Sequence, residues 1–170
     1  MEISTVVTCA VAIVVGLGSL YLYAYFKDKK STEATAQSTN GKSILPLQLQ
    51  AYERLVLLTE RISLPNLVSR INQTGLTAKE MQMLLTQTIR QEFEHNISQQ
   101  IYVSSGAWEA INNLKEQNIL IINQVSSYLP VDATGMDLNK GLMQLLVENP
   151  KASLHTIVAE ALSHEAKRLM

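Results

Sequence analysis

The 170 residues include a single cysteine and carry a net charge of −1, with 46% hydrophobic and 17% charged side chains. One cysteine excludes an intramolecular disulfide framework and a cysteine-rich zinc module. Setting aside the four bases and three acids before Leu45 leaves ten bases against twelve acids. That balance argues against nucleic acid as a partner, because such a surface needs a clustered excess of Lys and Arg.

The chain opens on an apolar run. Ile3 to Phe26 contains no charged side chain, and a helix of that length reaches about 36 Å, enough to cross a hydrocarbon core of about 30 Å. A cleaved signal peptide fits less well, because its leader is basic and its apolar core shorter, whereas Glu2 precedes this run. Tyr21, Tyr23, Tyr25 and Phe26 suit the headgroup layer, and Lys27, Lys29 and Lys30 follow them. Residues 1–26 are therefore expected to be a single transmembrane anchor meeting lipid through residues 3–26. The positive-inside rule places the short N-terminus outside the cell membrane and residues 27–170 in the cytoplasm. Cys9 falls within the run and reads as a small apolar-like residue. Ser4, Thr8, Ala12 and Gly16 recur every four residues, a small-residue face that would let a second helix approach closely and support a homo-oligomer or a larger membrane complex.

Residues 27–44 lack apolar periodicity and are rich in Ser, Thr, Lys and Gly, as expected of a flexible linker. Residues 45–170 then read as one helical domain. Leu55, Leu58 and Ile62 form a stripe after Pro46, and Leu64-Pro65 breaks it. A shorter helix carrying Leu67, Val68 and Ile71 is expected to run to Gly75 as its C-cap. Thr77 and Glu80 have capping-box spacing, opening a long helix with Met81, Leu85, Ile89, Phe93 and Ile97 on one face. Gln100 to Val103 is β-branched enough to suggest an extended connector, after which Ser104 or Ser105 can cap a helix holding Trp108, Ile111, Leu114, Ile122 and Val125. The apolar quartet Ile119 to Ile122 predicts burial on most sides. Pro130 to Gly135 is a loop, and a short helix through Leu142, Leu145 and Leu146 follows. Asn149-Pro150 is expected to open the last helix, with Leu154, Ile157, Val158, Ala161 and Leu162 inward and Lys167 and Arg168 at its end. No internal repeat or alternating strand series is visible. The fold class is all-α, an anchor and linker followed by a compact bundle of about five or six helices.

The segment Glu92 to Ser104, EFEHNISQQIYVS, with Trp108-Glu109 beyond it, resembles an uncharacterised family of small bacterial proteins with one N-terminal span and a helical cytoplasmic domain. The resemblance covers most of the chain. It implies that topology and brings no activity, ligand or catalytic residue.

Glu92 and His95 form Glu-x-x-His, which places both side chains on one helix face. Bundle di-metal sites use that spacing, but they need a second copy and two further carboxylates. His155, Glu160 and His164 on the last helix are the nearest equivalents, and a polar helix face gives the same composition without metal. Asp132-Ala133-Thr134-Gly135 superficially matches an aspartyl-phosphate signature, yet no parallel sheet supports that chemistry and these are ordinary turn residues. Asp137 reads as a cap or first-turn acid, and Trp108 as core rather than a partner's anchor. No nucleophile elbow, P-loop or dinucleotide fingerprint occurs. No catalytic residue, cofactor or metal ligand is assigned. The chain reads as a membrane-tethered interaction or scaffold domain. The alternative is a membrane-anchored enzyme with a metal-dependent site near Glu92 and His95.

If the small-residue face packs two spans together, Gly16→Leu inserts bulk at the closest approach and weakens association, while Ile13→Leu leaves it unchanged. An energy-transfer assay on the isolated span measures both, and an equal signal from the two variants rules the face out.

Overall fold

The structure is a computed structural model that describes residues 44–71, 73–149 and 154–170. The expected span, the small-residue face Ser4, Thr8, Ala12 and Gly16, and nearly all of the expected linker lie outside the described residues. No helix among the described residues is long and apolar enough to cross a membrane.

Pro46–Met170 form a compact unit of their own. The described residues are all-α, six helices in a bundle: α1 over 44–62, then α2 Leu64–Arg70, α3 Ala78–His95, α4 Ser105–Tyr128, α5 Gly135–Glu148 and α6 His155–Leu169, with a 3-10 turn Ile97–Ile101 between α3 and α4. Central in the bundle, α3 packs on α4 and α5. Helix α4 also carries α6, and α2 packs on α5. Leu55, Leu58 and Ile62 meet Met81, Leu85 and Ile89, Ile111, Leu114 and Ile122, and Leu138 and Leu142 in one core. Each such Leu or Ile contributes roughly 1.5–3 kcal/mol of transfer free energy when fully buried.

The break between α1 and α2 follows from proline chemistry. Pro65 has no N–H to offer the carbonyl four residues back, and helix ends leave their last carbonyls without helical partners. Side chains take up that deficit. Glu60 O accepts from Ser63 Oγ (2.9 Å) and Asn66 Nδ2 (3.0 Å), and Arg61 O accepts from Arg70 Nη2 (3.2 Å). Ile62 O accepts from Nδ2 of the buried Asn118 at 2.8 Å, a hydrogen bond that ties α4 to the end of α1.

Helices α3 and α5 begin as mirror partners. Thr77 caps α3 with a full capping box to Glu80, and Thr134 caps α5 with one to Asp137. Thr77 and Thr134 then pair as an isolated antiparallel bridge. Ala78 N–H donates to Ala133 O (2.9 Å) and Gly135 N–H to Leu76 O (2.7 Å). The sequence shows no repeat here, yet the two loops are used in the same way.

Several sequence expectations need correction. Helix α2 stops at Arg70 with Ile71 as its cap, and Gly75, at φ 87°, instead turns the loop that leads to Thr77. Gln100 to Val103 is not extended: Ile97–Ile101 is a 3-10 turn and Tyr102 is helical, so Ile97 leaves the α3 stripe and is half exposed. Leu120 is exposed within its buried quartet, because four consecutive helical residues cannot all face a core on one side. Asn149 closes α5, donating its N–H to Leu145 O, and α6 starts at His155. On α6 Val158 and Leu162 are buried, while Ile157 and Ala161 are exposed. The Thr77 capping box, the Ser104 cap and the basic last turn of α6 all stand where the sequence places them.

A Cβ on Gly135 would lie 3.1 Å from Met81 Cβ and 3.3 Å from Leu76 O, whereas one on Gly106 meets nothing closer than Ser104 Oγ at 3.9 Å. Gly135→Ala should therefore lose about 1–2 kcal/mol through overpacking, and Gly106→Ala should gain roughly 0.5 kcal/mol by restricting the unfolded chain. Urea melts of the two variants check the opposite signs.

Candidate functional site

Helices α1 and α3 border an open cleft of about 380 Å³, lined by Arg54, Leu57, Leu58, Arg61, Thr88, Gln91, Glu92, His95 and Asn96. It contains the Glu-x-x-His pair singled out in the sequence. Glu92 is engaged on both oxygens: Arg61 Nε donates to Oε2 at 2.9 Å and Arg61 Nη2 to Oε1 at 2.7 Å. Arg70 Nη2 adds a longer contact of 3.4 Å to Oε1. The carboxylate holds the Arg61 guanidinium above its already high ordinary value, chiefly through these hydrogen bonds. Because the Arg61 side chain is 56% exposed, the pair contributes on the order of 1 kcal/mol at most despite its bidentate geometry.

His95 points its Nδ1 at the Gln91 carbonyl at 2.9 Å. A carbonyl only accepts, so Nδ1 is the protonated donor of that bond, and Nε2 is the ring nitrogen it leaves unengaged. Two guanidiniums on Glu92 oppose a cation at that position. Among the described residues, no group of three or more His, Cys, Asp or Glu stands where it could hold a metal ion. Glu160 and His164 lie exposed on α6. Trp108 is partly buried against the core, tilted on Phe93 with ring centroids 5.0 Å apart. The Lys115 ammonium covers the same Phe93 ring at 4.2 Å. Asp132 lies in the turn before α5, and Asp137 is the acid of its capping box.

Sequence reasoning missed a second polar cluster, on a cleft of about 540 Å³ that includes Gln48, Tyr52, Tyr102, Ser104, Glu165 and Arg168. Tyr52 Oη and Ser104 Oγ each donate to Glu165 Oε2 at 2.7 Å. Ser104 N–H donates to the Tyr52 hydroxyl at 3.2 Å, and Ser104 Oγ accepts from Ala107 N–H at 3.0 Å. Three helices are joined here: α1 through Tyr52, the start of α4 through Ser104, and α6 through Glu165. The hydrogen bonds from Ser104 and Tyr52 hold the Glu165 carboxyl below its ordinary range, while burial pushes the Tyr52 phenol up and keeps it a donor. No local motif marks these residues. Only the helical phase of Tyr52 and Glu165, each on an otherwise apolar face, hinted at an inward role.

These observations define an all-α bundle domain with two open polar clefts. The chain belongs to the family of unknown function DUF7935, which matches residues 1–169. This agrees with the expectation of an uncharacterised family covering most of the chain. No curated protein and no solved structure matches it.

A carboxylate held below its ordinary value of 4.5 stabilises the fold fully above that value, and its contribution is lost as pH falls through the lower folded value. Glu165→Gln should therefore be less stable than the parent at pH 7, by roughly 1 kcal/mol after solvent screening. The gap should close on acidification below about pH 4.5. Denaturant melts from pH 7 to 3 test this, and a gap constant over that range would contradict it.

Proposed function

We propose that this protein is a single-pass bacterial cell-membrane protein whose cytoplasmic helical bundle serves as an interaction or scaffold domain. The observation that carries the interaction reading is the two-sided character of α5. Its inner face buries Leu138 and Leu142, while Met136, Met143 and Val147 are exposed on the outer side. At spacings of seven and four they share one helix face. Flexible methionines suit a surface that adapts to a partner.

Support for the tether is the charge-free run Ile3 to Phe26 with Lys27, Lys29 and Lys30 on its far flank. On this reading Ser4, Thr8, Ala12 and Gly16 give the span a face for self-association within the membrane. The enzyme alternative has less behind it, since Glu92 is engaged by Arg61 and Arg70.

Two experiments test the reading. Protease added to intact spheroplasts should leave residues 27–170 whole, and digestion from outside reverses the topology. Photo-crosslinkers placed at Met143 and Val147 in native membranes should give discrete protein adducts, and one at Gln124 on α4 should give none. Equal labelling at all three positions removes the α5 face from consideration.

A further inference from the structure

We propose that the cleft between α1 and α3 is a binding site for a hydrogenphosphate group, free or as the headgroup of a lipid. The argument begins with charge. Arg54 and Arg61 line the cleft, and among its described lining residues Glu92 is the one carboxylate, already shared between Arg61 and Arg70. Arg54 makes no hydrogen bond or ion pair with any described residue, so a full guanidinium fork is available at the cleft wall.

Arg61 stands two turns further along the same face of α1. Its Nε and Nη2 are committed to Glu92, which fixes the plane of the guanidinium and leaves the Nη1 hydrogens for a second acceptor. Arg70 grips both Glu92 and the Arg61 carbonyl, so the α1–α2 break locks this arrangement from behind. Planar, oriented guanidiniums recognise phosphate oxygens through paired hydrogen bonds.

The remaining polar atoms narrow the ligand. With Nδ1–H of His95 bound to the Gln91 carbonyl, Nε2 is the ring nitrogen left for a ligand in the cleft. Asn96 donates its Nδ2 to the Glu92 carbonyl at 2.9 Å, which leaves its Oδ1 as an acceptor. A site with cationic donors on one wall and an amide acceptor on the other suits an oxyanion that also carries an O–H. Hydrogenphosphate has both. Sulfate has the charge and geometry but no proton at neutral pH, so it offers Asn96 Oδ1 no donor. The cleft is large enough for the group, with Leu57 and Leu58 forming its apolar side.

Calorimetric titration of the full chain in nonionic micelles at pH 7.5, with inorganic phosphate and then sulfate, tests the proposal. Saturable one-to-one phosphate binding is expected, tighter than sulfate by about fivefold or more because a site built to accept a hydrogen bond rejects the analogue lacking it. Arg54→Gln should weaken phosphate binding by roughly tenfold through loss of a charge-assisted contact. Arg90→Gln, exposed on α3 and outside the cleft, should leave it unchanged. Phosphatidic acid doped into the micelles competes with phosphate if the source is a lipid headgroup and leaves the titration unaltered if it is free phosphate. No saturable heat, equal affinity for sulfate and phosphate, or equal losses in the two arginine variants overturns the site.

Discussion

Pro65 cannot donate a backbone hydrogen bond, and much of the bundle is arranged around that deficit. The chain bends between α1 and α2, and the carbonyls exposed at the bend recruit partners from three places. Asn66 and Ser63 answer locally, Arg70 answers from the next turn, and Asn118 answers from the middle of α4. A buried amide bonded to a buried carbonyl is costly to break, because either group left alone loses its solvation without compensation. The bend thereby sets how α4 lies against α1. It also brings Arg61 and Arg70 together on Glu92, so the polar cleft is a by-product of satisfying the backbone.

A second constraint acts where α3 and α5 begin. The reciprocal hydrogen bonds between Leu76 and Gly135 and between Ala78 and Ala133 pin the first turns of α3 and α5 to each other. Gly135 is needed there for close approach to Met81 and the Leu76 carbonyl. Both helices leave this junction with capped N-termini, and their apolar stripes converge. Helix α6 is attached differently. Only Val158 and Leu162 of this helix are buried, and the Tyr52–Ser104–Glu165 cluster supplies its polar anchorage. Ala166 and Leu169 pack half-buried beside them, and because the Glu165 carboxylate is held below its ordinary range, α6 loses part of its hold in acid.

The candidate sites were legible only in fragments. Glu92 and His95 stood out because a three-residue spacing places them on one helix face, but their partners lie 31 and 22 residues away for Arg61 and Arg70. Spacing within one helix says nothing about what faces it, and here guanidiniums face it. Tyr52, Ser104 and Glu165 gave no joint signal, being separated by 52 to 113 residues. The misplaced ends have a local cause. Gly75 and Asn149 are both residue types found at helix ends and in turns alike, and composition does not choose between those uses.

By itself the sequence determined the all-α class, the inward stripes of α1, α3 and α4, and the caps at Thr77 and Ser104, because these depend on helical period and on hydrogen bonds closed within four residues. It also determined the charge-free run Ile3 to Phe26. Only the tertiary structure decided that Thr77 pairs with Thr134, that Asn118 completes the end of α1, that Glu92 belongs to two arginines, and that Ile97, Leu120 and Ile157 stay exposed. Each of those outcomes depends on which distant surface a helix meets, and a one-dimensional pattern encodes the face of a helix without encoding its neighbour.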